Sequence, residues 1–159
     1  ANKNLSEYNK DFVPNGADFK IGIVVSEWND EITLSLLEGA KQAFLDNGVE
    51  EENLIIKFVP GTFELPLGTQ YFLEGSNVDG VLAIGVVIQG ETRHFDFVCS
   101  GATNGLMDVM LKYNRPVSFC VLTDNTRQQS LDRAGGKYGN KGIDTAIALM
   151  KMIGLRRNF

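Results

Sequence analysis

Four short apolar runs punctuate the chain: Ile21–Ser26, Leu54–Val59, Gly80–Ile88 and Val117–Thr123. Each is rich in Val, Ile, Leu or Phe and continuous rather than alternating, the pattern of parallel strands covered on both faces. Between the runs the period lengthens. Ile32, Leu36, Ala40 and Phe44 recur at every fourth position, and Gly48 stands where such a helix would stop. Val98, Ala102, Leu106, Val109 and Tyr113 predict a longer helix, halted before Pro116. Thr126–Ala134 and Ile143–Gly154 predict two more, separated by the glycine-rich stretch Gly135–Gly142. Strands alternating with helices in this order imply right-handed crossovers and a four-stranded parallel sheet sandwiched between helical layers. Residues 1–19 are polar, Asn-rich and Pro-containing, and read as an N-terminal arm outside the core. Residues 20–159 then form a single α/β domain.

Composition narrows the class. The 159 residues suit one domain, and a chain of this size buries roughly 68–70% of its unfolded surface. With 43% hydrophobic and 22% charged residues it is globular rather than disordered. A net charge of −5 argues against a general nucleic-acid binder, whose affinity rests on neutralising phosphates. Cys99 and Cys120 form no CxxC or Cys/His pattern, and with one histidine in the chain a Cys/His zinc site is nearly excluded. They read as buried free thiols in a reducing compartment. No apolar run reaches the roughly 18 residues of a membrane span, and Ala1–Gly16 has no apolar core of the signal-peptide kind. The expectation is a soluble, cytoplasmic protein without membrane or nucleic-acid partners.

Charge is unevenly distributed. Residues 1–60 carry 5 basic and 11 acidic side chains, whereas residues 126–159 carry 7 basic and 2 acidic ones. A solvated basic surface, an anion site and a complementary contact with another subunit all fit this asymmetry.

Ligands of open α/β sheets collect beyond the carboxyl ends of the strands, which points to the loops Glu27–Asp30, Pro60–Leu65, Gln89–His94 and Thr123–Thr126. Trp28, the lone tryptophan, follows the first strand at a polar tip, where it is either a core residue or a platform for a planar ring. Phe63 and Glu64 read as core and helix-start residues, or as part of a loop that reads a heterocycle. In the third loop a strand enters Gly90 and a helix begins beyond Thr92, a candidate N-cap. Backbone N–H groups at such a start bind anions without a basic side chain. His94 lies there, and histidine is the side chain whose ordinary pKa suits proton transfer near neutrality; the alternative is an idle surface histidine. Arg133-Ala134-Gly135-Gly136-Lys137-Tyr138-Gly139-Asn140-Lys141-Gly142 carries three cations among four glycines. It is not a Walker loop, and it reads either as a solvated basic turn or as a phosphate clamp through Arg133. No GxSxG elbow and no GxGxxG fingerprint is present.

Four segments in this order and spacing resemble the lumazine synthase family of riboflavin biosynthesis. They are Ser26-Glu27-Trp28-Asn29, the run from Val59 to Pro66, the run from Ala83 to Asp96, and the run from Arg133 to Gly142. The resemblance extends from about Asp18 onward and implies a flavodoxin-like, three-layer α/β/α sandwich. It implies condensation of 5-amino-6-(D-ribitylamino)uracil with 3,4-dihydroxy-2-butanone 4-phosphate, with no cofactor and no metal. On the family pattern Trp28 stacks on the pyrimidine, and Thr62, Phe63 and Glu64 hold ribityl and ring groups. Val86, Val87 and Ile88 match the pyrimidine-binding strand end. Glu91 and Thr92 match the phosphate-binding amides, and His94 the proton-transfer residue. Phe119 and Arg133 correspond to an aromatic and a phosphate-binding arginine supplied by the adjacent subunit, and Lys141 to a lysine nearby. Gln89 stands where relatives often have a basic residue, and Glu91 places an acid beside the phosphate site.

The resemblance further implies homopentamers with each active site between neighbours. The short Gly135–Gly142 connector lacks the insertion of pentamer-only relatives, which implies pentamers closed into an icosahedral shell. The arm is expected to add a strand to a neighbour's sheet edge. The competing reading is a non-catalytic protein, either a flavin- or lumazine-binding module or a cage-forming paralogue.

Overall fold

A computed structural model describes residues 4–159. Its central sheet contains β1 (Ile21–Ser26), β2 (Leu54–Val59), β3 (Gly80–Ile88) and β4 (Val117–Asp124). The strands are parallel throughout and ordered β2-β1-β3-β4. Helices α1 (Asp30–Asp46), α2 (Leu65–Gly75), α3 (His94–Tyr113), α4 (Arg127–Arg133) and α5 (Lys141–Arg157) connect and cover them. This is the flavodoxin-like α/β/α sandwich.

The continuous apolar character of β1 and β3 follows from two separate cores. Ile21, Ile23, Val25, Leu82, Ile84 and Val86 point to one face, where they meet Leu36 and Phe44 of α1 and Leu149 and Met150 of α5. Val24, Val81 and Ala83 point to the other, against Leu65 and Phe72 of α2 and Leu106 and Val109 of α3. Alternation is therefore present, but both sets of side chains are buried.

β2 departs from that expectation. As an edge strand it is only partly covered, and Lys57 and Phe58 are exposed. Its apolar run reads like that of a central strand because Leu54 and Ile56 pack on one core while Ile55 and Val59 pack on the other.

Helix limits follow local chemistry. Ile32, Leu36, Ala40 and Phe44 are fully buried along α1, and the chain leaves that helix through Gly48 at φ 92°. α4 starts with a capping box: the Thr126 hydroxyl accepts the Gln129 N–H at 3.2 Å, and the Gln129 side chain accepts the Thr126 N–H at 3.3 Å. The Gly135–Gly142 stretch is more than a connector. It holds a small antiparallel hairpin, β5 (Ala134–Gly136) with β6 (Gly139–Asn140), followed by the first residues of α5.

The first three residues of the expected arm lie outside the described residues. From Asn4 onward the segment runs against the domain: Tyr8 and Val13 pack on the first core and Phe19 belongs to it. Part of the charge asymmetry is satisfied within the chain, since Arg157 pairs with Asp18 at 2.6 Å and with Asp79 at 3.3 Å, and Arg127 pairs with Glu31.

Candidate active site

At the carboxyl ends of β1 and β3 three loops converge on one cleft of about 490 Å³. The loop after β1 is held to the loop after β2 by main-chain bonds, Glu27 N–H to Val59 O at 2.8 Å and Trp28 N–H to Pro60 O at 3.2 Å. Asn29 then adopts the left-handed conformation, φ 60°, and its carbonyl accepts the Ile32 and Thr33 N–H groups in the first turn of α1. The turn leaves Trp28 64% exposed at the cleft, so the tryptophan is not a core residue. Gly61 permits this placement, because a β-carbon there would collide with the indole ring.

The loop after β2 is pinned to β3. The buried Thr62 hydroxyl donates to Val86 O at 3.2 Å, and Gly85 makes room, since a β-carbon on it would lie 2.6 Å from the Thr62 Oγ1. Glu64 accepts the Gly61 N–H at 3.1 Å and so closes its own loop. Phe63 is left 61% exposed, its ring against Gly101 of α3, which removes the core reading for it too.

The third loop brings His94 to the cleft as the first residue of α3. Thr92 is not the cap: Arg93 precedes the helix without a capping side chain, and the Thr92 hydroxyl accepts only the His94 N–H at 3.3 Å. The reason is register, since a capping oxygen serves an amide two or three residues inside the helix and the helix begins one position later than Thr92 requires.

A family model for 6,7-dimethyl-8-ribityllumazine synthase matches residues 18–157. Curated proteins of that name are similar over nearly the whole chain. That of Flavobacterium johnsoniae is 55% identical over 98% of this chain and 82% of its own length. That of Christiangramia forsetii is 52% identical over 98% and 93%, and that of Cytophaga hutchinsonii 51% identical over 96% of both. The chain belongs to the lumazine synthase family.

Of the positions that carry the lumazine synthase pattern, the cleft gathers Trp28, Thr62, Phe63, Glu64, Val86, Val87, Ile88 and His94. Five others stand apart from it. Glu91 and Thr92 are exposed in the loop just before α3. Phe119 is on β4, beside Met110 and Met152 in a different depression. Arg133 ends α4, where it donates to Gln129 O at 2.9 Å, and Lys141 opens α5 in an ion pair with Asp144 at 3.2 Å. Ser26, Asn29, Phe97 and Val98 also line the cleft. Phe97 and Val98 follow His94 at spacings of three and four, so helical periodicity counted from the histidine identifies them. Neither thiol is in the cleft. Burial pushes Cys120 up to about 12, and partial burial, followed by the nearby Asp96 carboxylate, raises Cys99.

Proposed function

We propose that this chain condenses 5-amino-6-(D-ribitylamino)uracil with 3,4-dihydroxy-2-butanone 4-phosphate to 6,7-dimethyl-8-ribityllumazine, releasing phosphate and water, as the penultimate step of riboflavin biosynthesis. One observation carries the reading. A single cleft of a lumazine synthase family chain holds an exposed tryptophan, a carboxylate loop, an apolar strand end and the one histidine.

Each residue then has work suited to its surroundings. Trp28 stacks on the pyrimidine. Val86, Val87 and Ile88 present main-chain groups to its edge, while Phe63 and Glu64 hold ribityl and ring groups. Thr62 acts mainly through its main chain, because its hydroxyl is committed to Val86 O. The phosphate sits on the amides of Glu91 and Thr92 in the loop just before the 20-residue helix α3, where the helix dipole favours an anion. His94 moves protons during imine formation, phosphate loss and ring closure. The amine substrate is itself the nucleophile, so no activated serine or cysteine is needed, and orientation of two reactants supplies most of the acceleration, up to roughly 7–11 kcal/mol.

Phe119, Arg133 and Lys141 serve the cleft of an adjacent copy in a pentamer. Their separation from the chain's own cleft supports that reading. The shortness of residues 135–142, a hairpin and a helix start with no insertion, supports closure of pentamers into a shell. Two free thiols accord with the cytoplasm. The deciding experiment mixes purified protein with both substrates and follows lumazine absorbance. Growth well above the uncatalysed rate is expected, and a rate equal to that without protein refutes the assignment.

A further inference from the structure

Around the β5–β6 hairpin two cations converge on one aromatic ring. The Arg133 guanidinium carbon lies 4.9 Å from the centroid of the Tyr138 ring, and the Lys137 ammonium lies 5.2 Å from the same centroid. A cation is attracted to the electron-rich face of such a ring. With the bond from Arg133 Nη1 to Gln129 O, the guanidinium has two tethers. Tyr138 is itself fixed. Its N–H donates to Asp132 O at 2.8 Å, and its carbonyl accepts the Leu5 N–H at 2.7 Å. The next residue, Gly139, has φ 85°, and a β-carbon there would stand 2.9 Å from the Ser6 Oγ. That hydroxyl accepts the Asn140 N–H at 3.0 Å. Residues 4–6 therefore lie across the hairpin and hold the main chain that carries the ring.

We propose that Tyr138 is a positioning residue, its ring face holding the Arg133 guanidinium ready to grip the phosphate of the ketone substrate. The inference rests on the reading of Arg133 as a phosphate ligand. An arginine side chain left free in solvent must give up its rotamer freedom when phosphate arrives. One already seated on a ring has given up that freedom on folding, and a phosphate then meets a preset planar fork. The ring acts through its face, so its hydroxyl is dispensable. Lys137 adds positive potential at the same place without a fixed direction.

The test uses the intact protein and both substrates, with Tyr138→Ala, Tyr138→Leu, Tyr138→Phe, Arg133→Ala and the Tyr138→Ala/Arg133→Ala double variant. Tyr138→Ala and Tyr138→Leu are each expected to raise KM for the phosphorylated ketone by about five- to tenfold. kcat should stay within about twofold and KM for the pyrimidine should be unchanged. Inhibition by inorganic phosphate should weaken by the same factor. Tyr138→Phe should match the wild type, and the double variant should match Arg133→Ala alone. A Tyr138→Leu protein with wild-type KM overturns the proposal, because bulk alone would then suffice. So does a Tyr138→Ala effect that adds in full to that of Arg133→Ala, or one confined to Tm. Should Arg133→Ala itself leave KM for the ketone unchanged, the reading of Arg133 fails. Should Arg133→Ala raise it while Tyr138→Ala does not, only the role of Tyr138 fails.

Discussion

His94 is exposed at the first turn of α3, within the cleft but outside any core, so its substitution tests chemistry rather than folding. Proton transfer by a positioned histidine contributes typically 10²–10⁴-fold, and the rest of the acceleration comes from holding two reactants in register. His94→Ala should therefore lower kcat by about 10²-fold or more yet leave turnover measurable in the absorbance assay; abolition of activity in a folded variant would contradict an orientation-dominated mechanism. Glu91 presents the opposite case. Its side chain is exposed, and on the proposed reading it offers phosphate only its amide. Glu91→Gln should then change KM for the phosphorylated ketone by less than about twofold, whereas a carboxylate turned toward phosphate would show a marked fall in KM once neutralised. Cys120 bears on stability. Its thiol has an ordinary value of 9.0 and a folded value of about 12, because burial disfavours the thiolate. Below pH 9 both states keep the proton; between pH 9 and 12 only the folded state does, so the unfolded state binds fewer protons and stability falls as pH rises. The fall is roughly 1.4 kcal/mol per pH unit. Tyr113, hydrogen-bonded to Glu74, and Cys99 are raised as well and add slope of the same sign. Urea midpoints measured from pH 8 to 10.5 should decline, and less steeply in Cys120→Ala; equal slopes in the two proteins would exclude Cys120 as a cause.

The elements that position the cleft depend on close approach of main chain to main chain. At Gly85 the loop after β2 lies so near β3 that a β-carbon would be 2.6 Å from the Thr62 Oγ1 and 2.9 Å from a Leu65 methyl. Both neighbours are buried and cannot swing into solvent. Gly85→Ala should cost about 1–3 kcal/mol in urea unfolding and raise KM for the pyrimidine, since the loop that it displaces carries Phe63 and Glu64. A variant as stable and active as the wild type would mean that the loop has slack. This contact also marks the limit of what sequence patterning reveals. The strands, α1 and the helix beginning at Thr126 were legible, because burial on two faces and helical spacing act over a few residues. The edge position of β2 was not, since an edge strand that touches both cores carries the same apolar run as a central one. Thr92 failed as a cap by a single residue, a distance that helix propensity does not resolve. The hairpin at residues 134–140 was hidden because its strands are three and two residues long and largely glycine. In the site, Trp28 and Phe63 had two readings in the sequence, and only the turn at Asn29 and the packing of Gly101 against Phe63 decide that both rings face the cleft.

For the whole molecule the distribution of exposed apolar side chains sets the remaining prediction. Two shallow depressions adjoin through Met110, Pro116 and Met152; one continues to Leu155 and Phe159, the other to Phe119. Leu111 is 69% exposed on the same surface and Met152 51%. Asn114, Arg115 and Arg156 share the first depression, but a monomeric protein rarely leaves so many large apolar side chains together in water, and a face of this kind marks an association surface. We propose that the pentamer covers this face, which includes Phe119, the aromatic read as serving a neighbour. Met152 is in neither the cleft nor the proposed phosphate site, although it shares a depression with Phe119, so a charge placed there acts on association and on the delivery of Phe119 together. Met152→Asp would have to bury an unpaired carboxylate, a cost of several kcal/mol that the interface cannot relieve. Light scattering and electron microscopy of the wild type should show hollow shells, and Met152→Asp should shift the population toward single chains with activity falling in parallel. Isolated wild-type pentamers would remove the shell while keeping the shared site. Single chains of Met152→Asp with full kcat and KM would show that one copy contains a complete site, and the assignment of Phe119 and Arg133 to a neighbour would then be wrong.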